Sequence, residues 1–79
     1  MIFNLESSNA LITLGKSQLE KGDFGDALSS FEQAILLDQK NPNFWNLKGI
    51  ALRSLGRYNE AIDCFNKSLE IDPRDKNSS

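Results

Sequence analysis

The groups with the most obvious reactivity in this sequence are one cysteine, Cys64, and a scatter of carboxylates and serines. None is set in a pattern that catalysis or metal binding uses. The chain has no histidine, which removes the commonest general base and the commonest metal ligand. Cys64 is the sole cysteine; without a His or Cys partner it makes neither a thiol nucleophile nor a zinc site. Its neighbour Asp63 works against a thiolate, so Cys64 reads as a small, unreactive structural residue. Asp26, Glu32, Glu60 and Glu70 fall on the polar side of the apolar pattern and read as a solvated face. Ser17 and Ser68 offer only a remote Ser–Lys pairing. Gly15, Gly22 and Gly25 lack the spacing of a phosphate-binding loop. The expectation is a chain that is not an enzyme, with no catalytic residue, no metal, no cofactor and no small-molecule substrate.

Bulk properties narrow the remaining classes. At 79 residues the chain is at most one domain, and a chain of this size buries only roughly 60% of its unfolded surface. With 39% hydrophobic and 25% charged residues, it is an ordinary globular composition rather than a disordered one. The net charge of −2 is interspersed along the sequence, without the clustered basic excess of a nucleic-acid binder. Met1–Ser7 has neither a basic segment nor a continuous apolar one, so no signal peptide is expected. No apolar run approaches the roughly 20 residues of a membrane span. A lone cysteine favours a reducing compartment, and the expected location is cytoplasmic.

The elements that organise this surface come from an internal repeat. Gly22 in Lys21-Gly22-Asp23-Phe24 and Gly56 in Leu55-Gly56-Arg57-Tyr58 stand 34 residues apart. The same step superimposes Asn9 on Asn43, Gly15 on Gly49, Ala27 on Ala61, Phe31 on Phe65 and Asp38 on Asp72. Pairs such as Phe24 with Tyr58, Leu28 with Ile62 and Ile35 with Leu69 agree in size and polarity. Each copy reads as two helices. From Asn9 to Lys21 the apolar residues recur near helical spacing, and Gly22 ends the helix as a residue tolerant of positive φ. Asp23 with Asp26 reads as the next N-terminal signal, although Arg57 stands at the matching place. Ala27, Leu28, Phe31, Ala34 and Ile35 follow the amphipathic rule. Asn41-Pro42 supplies a cap and a first-turn proline, and Pro73 follows the last helix. Small residues at Gly15, Ala27, Gly49 and Ala61 let antiparallel helices approach, with Phe31 and Phe65 filling the space between them. Trp45 is expected to lock the second hairpin onto the first.

On these residues the chain resembles the tetratricopeptide repeat family. Residues 42–75 resemble its motif as Trp45, Gly49, Leu52, Ala61, Phe65 and Pro73; residues 8–41 resemble it as Leu11, Leu14, Gly15, Ala27, Phe31 and Ala34. The match covers 68 of 79 residues. Three positions depart from the pattern: Gln39 in place of the closing proline, Gln18 in place of an aromatic or leucine, and Lys48 in place of an apolar residue. Gln39 should loosen the turn between repeats. The resemblance implies an all-α fold of two stacked antiparallel helix–turn–helix hairpins, four helices of an α-solenoid with right-handed superhelical stacking. It divides the chain into a lead-in at 1–7, read as the remnant of a preceding repeat, repeats at 8–41 and 42–75, and a frayed tail at 76–79.

The resemblance also implies a function. The first helix of each repeat lines a concave groove that holds an extended peptide or a helix of a partner protein. Carried onto this sequence, the groove presents Asn9, Ile12, Lys16 and Leu19 from one repeat and Asn46, Ile50 and Arg53 from the other. Asparagines can bond a peptide backbone bidentately, and Lys16 with Arg53 can hold an acidic group. The clamp with which chaperone-binding members grip a terminal carboxylate is not expected. Ile12 and Lys16 stand where that clamp uses lysine and asparagine, and its third repeat is absent. Repeat stacks need polar terminal faces, and six residues after Pro73 are too few for a solvating helix. Phe65, Leu69 and Ile71 should therefore be partly bare. That face supports an alternative reading as an assembly module that forms homo-oligomers, or as a segment of a longer array.

Overall fold

The computed structural model describes residues 5–73. They form four helices, α1 (Leu5–Lys21), α2 (Phe24–Leu37), α3 (Pro42–Ser54) and α4 (Tyr58–Ile71). Each helix packs against the next in chain order, so the fold is the expected all-α stack of two helical hairpins, and no strand occurs among the described residues. The start of the lead-in and the tail at 76–79 lie outside the described residues. Helix α1 begins four residues before Asn9, where the apolar periodicity starts.

The two hairpin turns are copies of one another for a local reason. Gly22 and Gly56 have φ of 83° and 82°, the left-handed region in which a side chain is strained. That conformation ends each helix in a Schellman motif. The Gly22 N–H donates to Leu19 O at 3.1 Å and the Asp23 N–H to Gln18 O at 2.8 Å. One repeat on, Gly56 donates to Arg53 O at 3.0 Å and Arg57 to Leu52 O at 2.9 Å.

The helix starts differ from expectation. Asp23 occupies the N-cap of α2, but its side chain makes no capping bond. At the matching position Arg57 clamps Glu60 bidentately, Nε to Oε2 at 2.9 Å and Nη2 to Oε1 at 2.7 Å. This partner, first by hydrogen bond, draws the Glu60 carboxyl below its ordinary pKa and raises that of Arg57. Only α3 is capped as read: the Asn41 side chain accepts from the Asn43 N–H at 2.9 Å, with Pro42 at the first helical position.

The core runs along the line where the hairpins meet. Ala27, Phe31, Ala34 and Ala51 are fully buried, with Leu52 and Ala61 nearly so. Inside each hairpin the phenylalanine of the second helix lies flat against the glycine of the first. A Cβ at Gly15 would stand 2.8 Å from Cδ1 of Phe31, and one at Gly49 would stand 2.8 Å from Cδ1 of Phe65. Both distances are shorter than real Cβ atoms show, so a side chain at either position would have to displace the ring beside it.

Two of the three departures from the repeat pattern, Gln18 and Lys48, engage their side chains in polar contacts. The Ser30 hydroxyl donates to Gln18 Oε1 at 2.8 Å. Lys48 Nζ lies 3.7 Å from Glu32 Oε2 and 5.4 Å from the Trp45 ring centroid. Gln39 does cost the turn a proline, but its carbonyl accepts from Trp45 Nε1 at 2.9 Å. Trp45 thus ties α3 to the loop that leaves α2.

Candidate protein-binding surfaces

No group of three or more metal-ligating side chains occurs among the described residues. Cys64 is buried, and burial raises its thiol pKa above the ordinary value, which suppresses the thiolate that would make it reactive. The Ser68 hydroxyl is buried with no hydrogen-bond partner among the described residues, so no lysine activates it. No helix among the described residues is long and apolar enough to cross a membrane. What the fold offers is surface, in two places.

The first is a concavity of about 380 Å³ between α1 and α3. Asn9, Ile12 and Lys16 line it from α1; Asn43, Phe44, Asn46 and Leu47 line it from α3, with Asn41 at the cap. The helical repeat places residues three and four apart on one face, which brings Asn9, Ile12 and Lys16 together, and Asn43, Asn46 and Leu47 opposite them. Ile12 is only 9% exposed and, together with buried Phe44, forms the floor. The rim is polar, with four asparagines and a single charged group, Lys16.

Three residues assigned to this groove by resemblance do not line it. Leu19 packs against the core, Ile50 is half-buried, and Arg53 is exposed near the end of α3. Conversely Asn41, Asn43, Phe44 and Leu47 line it without having been among the expected groove residues. Asn43 was within reach of the sequence, because it is the 34-residue counterpart of Asn9.

The second surface is the outer side of α4. Tyr58 is 62% exposed, Ile62 52% and the preceding Leu55 40%, and Phe65 and Leu69 are partly exposed beside them. Tyr58, Ile62, Phe65 and Leu69 recur at i, i+4, i+7 and i+11, a single stripe on a helix. Ile71 does not belong to it. Two residues past Leu69 the helix has turned by about 200°, and Ile71 lines a depression with Gln39, Lys40, Trp45, Lys67 and Glu70 at the α2–α3 junction.

Comparisons with known proteins agree with this geometry. A family model of the tetratricopeptide repeat matches residues 12–76. An uncharacterised protein of Methanocaldococcus jannaschii is 36% identical over 69 residues, which is 87% of this chain and 80% of that protein. Superkiller protein 3 of Schizosaccharomyces pombe is 33% identical over 63 residues, 80% of this chain but 4% of the larger protein. The peroxisomal targeting signal receptor of Saccharomyces cerevisiae is 29% identical over 62 residues, 78% of this chain and 10% of that one. The chain thus spans most of the first relative and only a small part of the other two. The glycine-ended hairpins, the Gly–Phe contacts and the match over most of the sequence have one explanation: this chain belongs to the tetratricopeptide repeat family, whose members generally serve as protein-interaction modules rather than catalysts.

Proposed function

We propose that the α1–α3 concavity binds an extended segment of a partner protein, with α1 and α3 acting as the first helices of repeats at 8–41 and 42–75. The observation that carries this reading is the composition of the concavity: four asparagines around an apolar floor of Ile12 and Phe44. An extended peptide leaves its own N–H and C=O groups unpaired, and asparagine side chains both donate and accept. The floor takes an apolar side chain, and Lys16, alone in charge, selects an acidic residue or a terminal carboxylate. One relative is by name a receptor for a targeting signal, in keeping with a peptide ligand.

The test is titration of the isotope-labelled chain with extended peptides of matched length, one series acidic and one neutral, followed by amide chemical shifts. Shifts are expected along α1 and α3, with acidic peptides binding more tightly. Lys16→Glu should reverse that preference, and Asn9→Ala with Asn46→Ala should abolish binding. Arg53→Glu should matter less than Lys16→Glu because Arg53 stands outside the concavity. Undiminished affinity in the double asparagine variant would refute the assignment.

A second reading, that α4 is an assembly surface, is favoured by one observation. Leu28 and Ile35 of α2 are 8% and 7% exposed, whereas their counterparts in α4, Ile62 and Leu69, are uncovered by any following helix among the described residues.

A further inference from the structure

We propose that the bare stripe of α4 docks onto the outer face of α1 of a second copy, continuing the stack head to tail. The inference rests on the reading of α4 as an assembly surface and names the partner surface it takes.

The chain carries its own template for this contact. Helix α2 presents Leu28, Phe31 and Ile35, and α3 packs against α2, where these three are buried. One repeat on, α4 presents Ile62, Phe65 and Leu69. One repeat before α3 stands α1, so the joint that α3 makes with α2 inside one chain is the joint that α1 of a second copy can make with α4. Among the described residues the receiving face is open: Ala10, Thr13, Leu14 and Ser17 form a shallow and mainly apolar depression on α1. Leu14 is 49% exposed there.

The chemistry of the substituted positions supports the match. In the internal joint Lys48 of α3 meets Glu32 of α2. Their counterparts are Leu14 of α1 and Asn66 of α4, so the intermolecular joint buries no unpaired charge. It exchanges an ion pair for an apolar residue seated beside the apolar stripe. The small residues Ala10 and Ser17 let the helices approach closely. A symmetric pairing of α4 with α4 has no such template and leaves Leu14 in water. Because the proposed contact joins two different faces, one copy added leaves both kinds of face free and growth continues past the dimer, into a filament or a closed ring according to the rotation per copy.

The experiment is sedimentation velocity on the full chain from micromolar to millimolar concentration, with two variants. Ile62→Glu disables the α4 face and Leu14→Glu the α1 face. Each buries an uncompensated charge at the joint, and the dissociation constant should rise at least about a hundredfold. Both positions are exposed in the single chain, so helicity should be retained; Tyr58→Glu serves as a second α4 variant if Ile62→Glu does not fold. The wild-type mass is expected to rise past two copies with concentration. Each variant alone should stay monomeric, and an equimolar mixture of the two should form a dimer, since one intact face of each kind remains. A wild-type dimer that never grows and survives Leu14→Glu would overturn the head-to-tail joint while leaving α4 as the assembly surface. A wild-type monomer at every concentration would overturn both.

Discussion

Phe31 and Phe65 occupy equivalent places in the two hairpins, each flat against a glycine of the preceding helix, yet one is fully buried and the other is not. The difference does not lie in either residue or in its own hairpin. Helix α2 packs between α1 and α3, while among the described residues α4 packs chiefly against α3. In a repeat stack each hairpin makes half of its core and borrows the other half from its neighbour. One sequence pattern therefore yields a core in one place and an interaction surface in another.

Truncation sharpens this comparison most. Phe31→Ala removes a ring packed on both sides and should cost about 3–5 kcal/mol, against a total stability of only about 4–12 kcal/mol for a chain this long. Phe65→Ala should cost about half as much, because part of its ring already faces water. Urea titration followed by helical circular dichroism measures both, and equal losses would break the comparison. If Phe31→Ala does not fold, Phe31→Leu and Phe65→Leu should keep the same order.

The glycines beneath these rings give a finer contrast. An added methyl at either position gains up to about 1 kcal/mol of helix propensity. At Gly15 that gain is outweighed by the about 1–3 kcal/mol of forcing a methyl into filled space, since Phe31 has nowhere to move. Phe65 can shift toward solvent, so Gly49→Ala should be near neutral. Matching destabilisation in thermal melts of the two variants would show that Phe65 is held as rigidly as Phe31.

The turn glycines supply a control in which the hairpins should not differ. Gly22 and Gly56 have nearly the same φ, and no atom lies within 4 Å of an added Cβ at either. Alanine at each should cost about 1 kcal/mol, purely from the left-handed backbone. Unequal costs would mean that one turn does more than reverse the chain.

The smallest effect is expected from the feature that the second hairpin alone possesses, the Arg57–Glu60 clamp. The Glu60 carboxyl is drawn below its ordinary pKa on folding. Its contribution is therefore full above the unfolded value and is lost as pH falls through the lowered folded one. Glu60→Gln should flatten that part of the acid limb of stability. A wild-type acid limb that survives Glu60→Gln intact would assign the slope elsewhere.

The sequence disclosed whatever repeats. Two glycines at a fixed step implied two turns, and the glycine–phenylalanine offset implied two close approaches. The Asn41-Pro42 start of α3 was equally legible, because its side chain acts on its own backbone. What stayed hidden depends on direction and on neighbours. The first turn of α1 has no apolar periodicity, so its start could not be read. Ile71 matched the apolar pattern but sits too near the end of α4 for spacing to reveal how far the helix has turned. Ile12 looked like contact surface, and only packing showed it to be the floor beneath the asparagines. Tyr58 and Ile62 were recognised as repeat positions without being recognised as bare.

Trp45 is the chain's single tryptophan, and it stands at the seam of the two hairpins with its indole N–H on the Gln39 carbonyl and the ammonium groups of Lys48 and Lys67 5.4 and 5.9 Å from its ring centroid. Its emission therefore reports a different event from the far-ultraviolet signal, which counts helix wherever it occurs. If the hairpins part before they melt, the fluorescence will red-shift while ellipticity holds; if they go together, the two transitions will superimpose. The chain carries a built-in optical gauge of whether its hairpins act as one cooperative body.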